Sequence, residues 1–394
     1  MNPYILDPAV QNFINANLNA DINQIALSKS VFTNVSSAEL ASQITAKKKS
    51  EKKLPTWFRH ENIFYPPALS IEQTSSETTA KYKSKLAIGT LLIDLTGGFG
   101  VDSYYFSKAV KQVIHCEINA ELSQIAQHNA SILNAENIEF KAVDGLELLK
   151  TDDLVFDTIY IDPARRAEKG KVFMLQDCTP DVVSNLDLLL SKAKRIIIKT
   201  APLLDLTAGI NELKYVSEIH IVSVKNECKE ILWILEREAT SDVKIVALTL
   251  NDTEKQFVFS RSEAEVSIQF TDRINVGQYL YEPDAALLKS GAFNLIGSRF
   301  NLQKLHPQTQ LFTSADLQPK FPGRIFKIHE TYSTGDLKKL KNLSGNVIVR
   351  NYPAKPEELV KKYKIKPHQE KFLIFSKVGN DENLIISVEI VQYY

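Results

Sequence analysis

Carboxylic acids follow several apolar runs of the chain, at the points where strands of a sheet would end. Asp94 follows Leu91-Leu92-Ile93, and Glu117, Asp144 and Asp162 each follow a later run of the same kind. In doubly wound folds, ligands bind at the edge of the sheet where the carboxyl ends of the strands meet. A carboxylate there accepts hydrogen bonds and suits a cationic group. The spacing therefore predicts a small-molecule site at that edge.

A glycine-rich turn comes directly after Asp94, in the segment Leu95-Thr96-Gly97-Gly98-Phe99-Gly100, and precedes a segment that reads as a helix. Glycines let the backbone pass close to a ligand, and a helix N-terminus offers unpaired N–H groups. A dinucleotide site requires G-x-G-x-x-G, but Ser103 stands where the third glycine should be. The acid in front of the turn instead favours S-adenosylmethionine, which carries an ammonium and a sulfonium. Glu117 lies near the roughly 20-residue spacing at which an acid holds ribose hydroxyls.

This series resembles the class I S-adenosylmethionine-dependent methyltransferases over about residues 75–237. Their order is a D-x-x-x-G-x-G loop, an acid after the second strand, an Asp after the third and [DN]-P-P-x after the fourth. The resemblance implies a Rossmann-like α/β sheet that ends in an antiparallel pair of strands. It also implies that the methionine part lies beside Asp94, Gly98 and Gly100, the ribose beside Glu117, and the adenine amino group beside Asp144.

A polar cluster precedes the glycine loop, at the start of a helix that two overlapping capping-box patterns predict to run to about Leu86. Its members could form a lid over the cofactor, and the alternative is packing across the sheet edge. The predicted cofactor-binding residues are accordingly Asp94, Thr96, Gly97, Gly98, Gly100, Glu117, Asp144 and Gly145, with Ser76 and Glu77 from this cluster. Gln73 and Ser75 belong to the same polar group, and no metal site is predicted.

The loop after the fourth strand is where the family's acceptor-contacting residue lies. The predicted catalytic residues are Asp162, Pro163, Arg165 and Lys199. Enzymes that methylate exocyclic amino groups usually show [DN]-P-P-[FYW], whereas this chain has Ala164 and Arg165 in the last two positions, which puts an amino acceptor in doubt. Arg165 and Arg166 are suited to phosphate, or alternatively to a surface ion pair with Glu168.

A second set of residues has the order found in ribose 2′-O-methyltransferases. It consists of Lys81 or Lys83, then Asp162, then Lys199, then Glu227 or Glu230. Lysine and glutamate near strand ends are common, so this order also arises by chance. Lys199 is retained as a substrate or phosphate contact.

Composition is that of an ordinary globular protein of 394 residues, with 44% hydrophobic residues and a formal net charge of zero. A neutral chain does not coat nucleic acid indiscriminately. No apolar run approaches the length of a membrane span, and the N-terminus lacks a secretory pattern, so we expect a cytoplasmic protein. Cys116, Cys178 and Cys228 form neither a C-x-x-C pair nor a metal-ligand spacing.

Basic residues are concentrated in two segments. Residues 320–394 hold 14 Lys and Arg against 8 Asp and Glu, and residues 45–60 hold six basic residues against Glu51 alone. Each run is either a solvated face or part of a track for phosphates. Proline-containing segments at Leu54–Phe58 and at 65–68 are predicted to be extended.

The layout predicts four parts: an N-terminal helical region (1–70), a methyltransferase domain (71–238), a small ferredoxin-like, β-rich module (239–322) and a THUMP-like α+β domain (323–394). It looks like a bacterial methyltransferase family with ferredoxin-like and THUMP-like C-terminal domains. THUMP domains bind RNA, so the resemblance implies an RNA substrate, tRNA or rRNA. Two alternatives stay open: a methyltransferase of a protein or small molecule, and a non-catalytic RNA-binding protein. The oligomeric state is not indicated.

Overall fold

In a computed structural model, residues 1–165, 174–239 and 242–394 of the chain are described. Arg166 and Glu168 lie outside the described residues, and Arg165 is described through its backbone. The chain divides into two units. The first contains Met1–Ser217 and Leu232–Ala239, and the second contains Glu218–Ile231 and Thr240–Tyr394.

The first unit begins with six helices. They are α1 (Pro8–Ala16), α2 (Ile22–Leu27), α3 (Ser37–Lys53), α4 (Pro55–Arg59), α5 (Ala68–Gln73) and α6 (Glu77–Ser84). A capping box between Ser36 and Glu39 starts α3. The segment around Pro55 is helical rather than extended as predicted, because proline at the first helical position is preorganised for a helix. The single helix predicted to reach Leu86 is two helices, since Ser76 caps α6 with an extended backbone.

A parallel sheet follows the helices. Its elements are β1 (Leu91–Asp94), α7 (Val101–Ser107), β2 (Gln112–Cys116), α8 (Ala120–Ile132), β3 (Ile138–Lys141), α9 (Gly145–Thr151) and β4 (Phe156–Ile161), then a two-stranded ribbon, β5 (Ala164–Arg165) with β6 (Cys178–Thr179), and finally α10 (Leu186–Lys192), β7 (Ala193–Thr200) and α11 (Leu206–Glu212). The strand order is β3-β2-β1-β4-β7, and all four pairings are parallel. The ends of β1 to β4 therefore meet at one edge, which is the Rossmann-like arrangement predicted.

Four strands follow α11 along the chain: β8 (Val216–Val224), β9 (Glu227–Leu235), β10 (Lys244–Leu250) and β11 (Glu254–Ser260). Within the second unit, β10 pairs in parallel with β8 and antiparallel with β11.

The aromatic side chain of Trp57, in the first unit, packs against Phe99, Tyr104 and Tyr105, so the N-terminal helices and α7 share one hydrophobic core.

The second unit contains a seven-stranded sheet. Its elements are β12 (Tyr279–Pro283), α12 (Ala285–Ser290), α13 (Phe293–Arg299), β13 (Gln303–His306), β14 (Thr309–Ser314), β15 (Gly323–Tyr332), α14 (Thr334–Leu337), β16 (Asn346–Arg350), α15 (Pro356–Tyr363), β17 (Lys371–Val378) and β18 (Glu382–Gln392), with strand order β13-β14-β12-β15-β18-β17-β16. This is the predicted C-terminal α+β architecture. The domain division at 322/323 stays a prediction, and the strands on its two sides, β12 and β15, are paired directly.

Among the described residues, no helix is both long enough and apolar enough to cross a bilayer. The same residues contain no group of three or more His, Cys, Asp or Glu side chains placed to hold a metal ion.

Candidate cofactor and acceptor site

A cavity of about 510 Å³ lies where the strands of the parallel sheet end, entirely within the first unit. It has the size of a typical small-molecule site. Its described lining includes the carboxylates of Asp102, Glu117, Asp144, Asp162 and Asp181, and no cationic side chain. We call the part lined by Glu117 and Asp144 the Glu117 end, and the part lined by Asp162, Ala164 and Pro180 the Asp162 end.

Asp94 ends β1 and is fully buried beneath the glycine loop. Its Oδ1 accepts the N–H of Thr96 at 3.0 Å, and its Oδ2 accepts the hydroxyl of Ser103 at 2.6 Å. Burial, together with the neighbouring carboxylates of Asp102 and Asp162, raises the pKa of Asp94 to about 7. The serine that breaks the dinucleotide pattern thus completes the hydrogen bonding of the acid that precedes the loop.

The glycine loop favours glycine at each position, by its backbone conformation or by a close contact. Gly98 and Gly100 have φ angles of +54° and +83°, which favour glycine. A Cβ on Gly97 would lie 2.2 Å from Nε2 of His115, whose ring sits beneath the loop. Burial lowers the pKa of His115 to about 4, so this imidazole is neutral at physiological pH. At the start of α9, a Cβ on Gly145 would lie 2.9 Å from Cα of Leu95.

Two carboxylates at the Glu117 end are oriented by backbone N–H groups. Glu117 accepts the N–H of Gly98 through Oε2 at 3.0 Å and the N–H of Asn119 through Oε1 at 2.8 Å. Asp144 caps α9 through Oδ1, which accepts the N–H of Leu146 at 2.8 Å. Its Oδ2 accepts no hydrogen bond from a described residue. Both side chains line the cavity with acceptor capacity left for hydroxyl or amino groups.

The Asp162 end brings together three residues that the sequence predicted. Lys199, at the end of β7, donates from Nζ to Oδ2 of Asp162 at 2.6 Å. The N–H of Asp162 donates to Oγ1 of Thr96 at 2.7 Å, which ties this loop to the glycine loop. Asp162 lines the cavity, and Lys199 stands directly behind it. The geometry presents a carboxylate with one oxygen held by an ammonium and the other without a described partner.

A buried network that sequence reasoning did not find forms another part of the wall. Lys83 on α6 is fully buried, and its Nζ lies 2.9 Å from Oδ1 of Asp102 on α7. Oδ2 of Asp102 accepts the hydroxyls of Ser75 at 2.7 Å and Tyr160 at 3.0 Å. Both Asp102 and Ser75 line the cavity. Despite burial, Lys83, the Ser75 hydroxyl and the charge of Lys199 hold the pKa of Asp102 below its usual value.

Not every predicted residue reaches the cavity. Ser76 caps α6 by accepting the N–H of Thr79, and Glu77 accepts hydrogen bonds from Thr56 and Tyr105 away from the lining. Beyond those two, the predicted residues outside the described lining are Asp94, Gly100, Pro163, Arg165 and Lys199, whereas Thr96, Gly97, Gly98, Glu117, Asp144, Gly145 and Asp162 belong to it. The structure adds the Thr179-Pro180-Asp181 segment, which has no local signature in the sequence.

These residues fit S-adenosylmethionine on three counts. The cavity is lined at Gly97 and Gly98 by backbone without side chains, so a ligand can approach the loop closely. The lining is anionic, which suits a ligand that carries an ammonium and a sulfonium. Glu117 and Asp144 retain acceptors at one end, as hydroxyl and amino groups require.

Comparison with known proteins gives the same assignment. Two family models match the second unit: a ferredoxin-like domain at residues 279–322 and a THUMP domain-like model at residues 323–389. The chain is similar to a Porphyromonas gingivalis W83 protein, assigned as a methyltransferase, whose crystal structure has 32% sequence identity, a TM-score of 0.86 and 98% coverage of both chains.

Curated relatives show a weaker likeness. An uncharacterized S-adenosylmethionine-dependent methyltransferase of Mycobacterium tuberculosis (strain H37Rv) is 21% identical over 319 residues, which cover 79% of this chain and 84% of the relative. An uncharacterized RNA methyltransferase of Mycoplasma mobile is 30% identical over 84 residues, which cover 21% of this chain and 23% of the relative.

Proposed function

Because the chain belongs to the S-adenosylmethionine-dependent methyltransferases that carry ferredoxin-like and THUMP-like C-terminal domains, we propose that it methylates RNA. When bound, S-adenosylmethionine supplies a methyl group already activated on a sulfonium. The protein has to hold the acceptor at attack distance and manage its proton. We assign the first task to the Asp162 end of the cavity and the proton to Asp162.

The observation that carries this proposal is the pair formed by Lys199 and Asp162 at the cavity wall. Lys199 fixes one carboxylate oxygen at 2.6 Å, and the loop N–H is fixed by Thr96, so the second oxygen has a defined direction. A carboxylate held in this way accepts a hydrogen bond from the acceptor's N–H or O–H group and receives its proton. The positive charge of Lys199 remains beside Asp162 as the proton moves to the carboxylate.

The wall beside Asp162 is partly apolar. Ala164 pairs with Thr179 in the two-stranded ribbon, and both residues line the cavity together with Pro180. Where amino-group methyltransferases place an aromatic side chain, this chain has Arg165, and Ala164 stands at the second proline position, so we assign the flat contact with a nucleobase to Pro180. The phosphates of RNA stay outside, because the described lining is anionic.

RNA requires a cationic surface elsewhere, and the second unit has one. The basic excess of residues 320–394 lies wholly in residues 334–371, which hold ten basic and four acidic residues. Buried Leu337, Leu359 and Ile365 place the segments after α14 and α15 on the same hydrophobic cluster. Six exposed lysines make no ion pair with another described residue, and we call them the C-terminal lysine surface: Lys338, Lys341, Lys361, Lys362, Lys364 and Lys366.

The N-terminal basic segment differs in this respect. Lys47 is buried beside the ring of Phe58, Lys48 pairs with Glu51, and Lys49 pairs with Glu72. At least half of its six basic residues are therefore engaged within the fold. Of the two basic segments predicted from the sequence, we propose the C-terminal one as the surface that binds RNA phosphates, and the RNA methyltransferase relative from Mycoplasma mobile supports the substrate class.

The decisive experiment measures methyl transfer to RNA. Total RNA from cells that lack the protein is incubated with the purified enzyme and isotopically labelled S-adenosylmethionine, and digested nucleosides are analysed by mass spectrometry. We expect one labelled methylnucleoside with the native enzyme. Label that enters protein or small molecules, with none in RNA, would contradict the RNA assignment and leave the methyltransferase assignment standing.

The lysine surface has its own test. The triple variant K361E/K362E/K364E should weaken RNA binding and reduce the slope of log affinity against log salt, because fewer phosphate counterions are released. The matched control is K48E/K49E/K52E in the N-terminal segment, which should bind RNA as the native protein does. Cofactor affinity, measured by calorimetry, should be the same for all three proteins.

A further inference from the structure

Lys304 is a buried lysine with no counter-charge among the described residues. It lies on β13 in the second unit, and its side chain is only 3% exposed. None of the described acidic residues forms an ion pair with it, and no hydrogen bond from its Nζ to a described residue is present. The centroid of the Phe293 ring lies 5.9 Å from its Nζ.

This lysine faces a pocket of about 390 Å³ that is separate from the methyltransferase cavity. The pocket is lined by Ala264, Phe293, Asn294, Lys304, Pro307 and Gln310. Oε1 of Gln310 is buried and accepts no hydrogen bond from the described residues, whereas Asn294 already donates to the carbonyl of Val266 at 3.1 Å. An unused cationic donor and an unused acceptor therefore belong to one cavity.

Such an arrangement is costly unless something completes it. Partly removing an ammonium from water without a partner is unfavourable, and a buried acceptor without a donor costs free energy as well. Burial is the single cause that lowers the pKa of Lys304, and no neighbouring charge opposes it. A methionine at position 304 would fill a similar volume without the cost of the ammonium. The missing partner is thus a ligand that brings an anionic oxygen and a hydrogen-bond donor.

We infer that this pocket binds a nucleotide, with its phosphate on Lys304, a base or sugar donor on Gln310, and an apolar face against Phe293. A nucleotide combines an anionic oxygen, N–H or O–H donors and a flat ring, and aromatic side chains are common platforms for bases. Inorganic anions lack the flat ring. Either a free mononucleotide or one nucleotide of an RNA chain supplies this chemistry.

The inference goes beyond the proposed function and does not rest on it. All the lining residues belong to the second unit, and methyl transfer requires none of them. The enzyme can fail to methylate RNA and still bind a nucleotide at Lys304, or the reverse. The experiment below therefore uses binding and not turnover as its readout.

The test measures ligand binding to the full-length protein and to two matched variants. Lys304→Met keeps the volume and removes the charge, and Lys320→Met removes an exposed lysine of the same unit. The probes are inorganic phosphate, adenosine 5′-monophosphate and a five-nucleotide single-stranded RNA. Each is titrated by calorimetry and by the rise in Tm that ligand binding to the native state produces.

We expect the nucleotide or the RNA to bind the native protein and Lys320→Met equally, and Lys304→Met at least tenfold more weakly. Loss of mononucleotide binding in Lys304→Met identifies a free-nucleotide site, and loss of RNA binding alone identifies an RNA contact. Equal affinities for native protein and Lys304→Met with every probe, or Lys304-dependent binding of inorganic phosphate as tight as that of both other probes, would overturn the inference. Gln310→Leu, which should also weaken nucleotide binding, serves if Lys304→Met does not fold.

Discussion

The two ends of the methyltransferase cavity hold their carboxylates in different ways. At the Glu117 end, backbone N–H groups of Gly98 and Leu146 donate to Glu117 and Asp144, so the acids and the loops fix each other. At the Asp162 end, the side chain of Lys199 is the donor to Asp162. Backbone N–H donors hold the carboxylates of the Glu117 end in a rigid position. At the Asp162 end, the positive charge of the lysine interacts with the carboxylate as its proton moves. Acids that look equivalent in the sequence therefore serve recognition at one end and chemistry at the other.

The largest effect is expected from Asp94→Ala, because Asp94 shapes the loop that serves the Glu117 end. The variant leaves the Thr96 N–H and the Ser103 hydroxyl without their acceptor beneath the glycine loop. Unpaired buried donors cost at least about 2 kcal/mol of stability. We expect S-adenosylmethionine binding, measured by calorimetry, to be abolished. Unchanged affinity would remove the loop from the cofactor site.

At the Asp162 end the expected loss is in turnover. Asp162→Asn keeps the size of the side chain but cannot receive the proton, so kcat should fall about 10²- to 10⁴-fold, the usual contribution of a general base. Cofactor affinity should change little, because the glycine loop and the Glu117 end are intact. Lys199→Met is the companion variant and should reduce kcat less. Full activity in Asp162→Asn would mean that the acceptor site lies elsewhere.

How well the sequence predicts each end follows from the range of the contacts. The parallel strands, the glycine loop and the terminal acids are local patterns, and the Lys199 to Asp162 pair follows from two strand ends meeting at one edge. The sequence does not show that Glu77 turns to Thr56. That contact is made between helices that are not neighbours along the chain. Proximity to the glycine loop suggested a lid, but tertiary packing decided the direction of the side chain.

The same limit applies to Ser103 and Asp102, which follow the glycine loop. Ser103 reads as a departure from a glycine pattern, and only the position of Asp94 beneath the loop explains the hydroxyl. No sequence pattern marks Asp102 as a site residue, because its partners Lys83, Ser75 and Tyr160 come from other elements. A buried lysine on α6 was visible in the sequence as a candidate for a ribose-methylating set, and the structure pairs it with a different acid.

Variants of the buried pair Lys83 and Asp102 test whether this part of the cavity wall supports cofactor binding. Lys83→Met leaves the Asp102 carboxylate without its cation, and breaking a buried pair costs about 3–5 kcal/mol. The double variant K83M/D102N should regain most of that stability, as measured by denaturant unfolding. Because Ser75 depends on both residues, we expect cofactor affinity to fall in each single variant as well. A single variant as stable as the native protein would show that the pair is not energetically coupled.

The smallest expected effect is a pH dependence that arises from Asp94. Its pKa is about 7 in the folded protein and near 4 when unfolded, so folding favours the neutral acid. Its contribution to the free energy of unfolding is therefore complete below about pH 4 and is lost as the pH rises through about 7. A cationic cofactor favours the ionised carboxylate, so its affinity should rise about tenfold between pH 6 and pH 8 and then level off. Calorimetry at several pH values measures this rise, and Asp94→Asn should flatten it. A rise that persists in Asp94→Asn would show that a group other than Asp94 titrates. The two ends of the cavity would then not differ in the protonation of their acids.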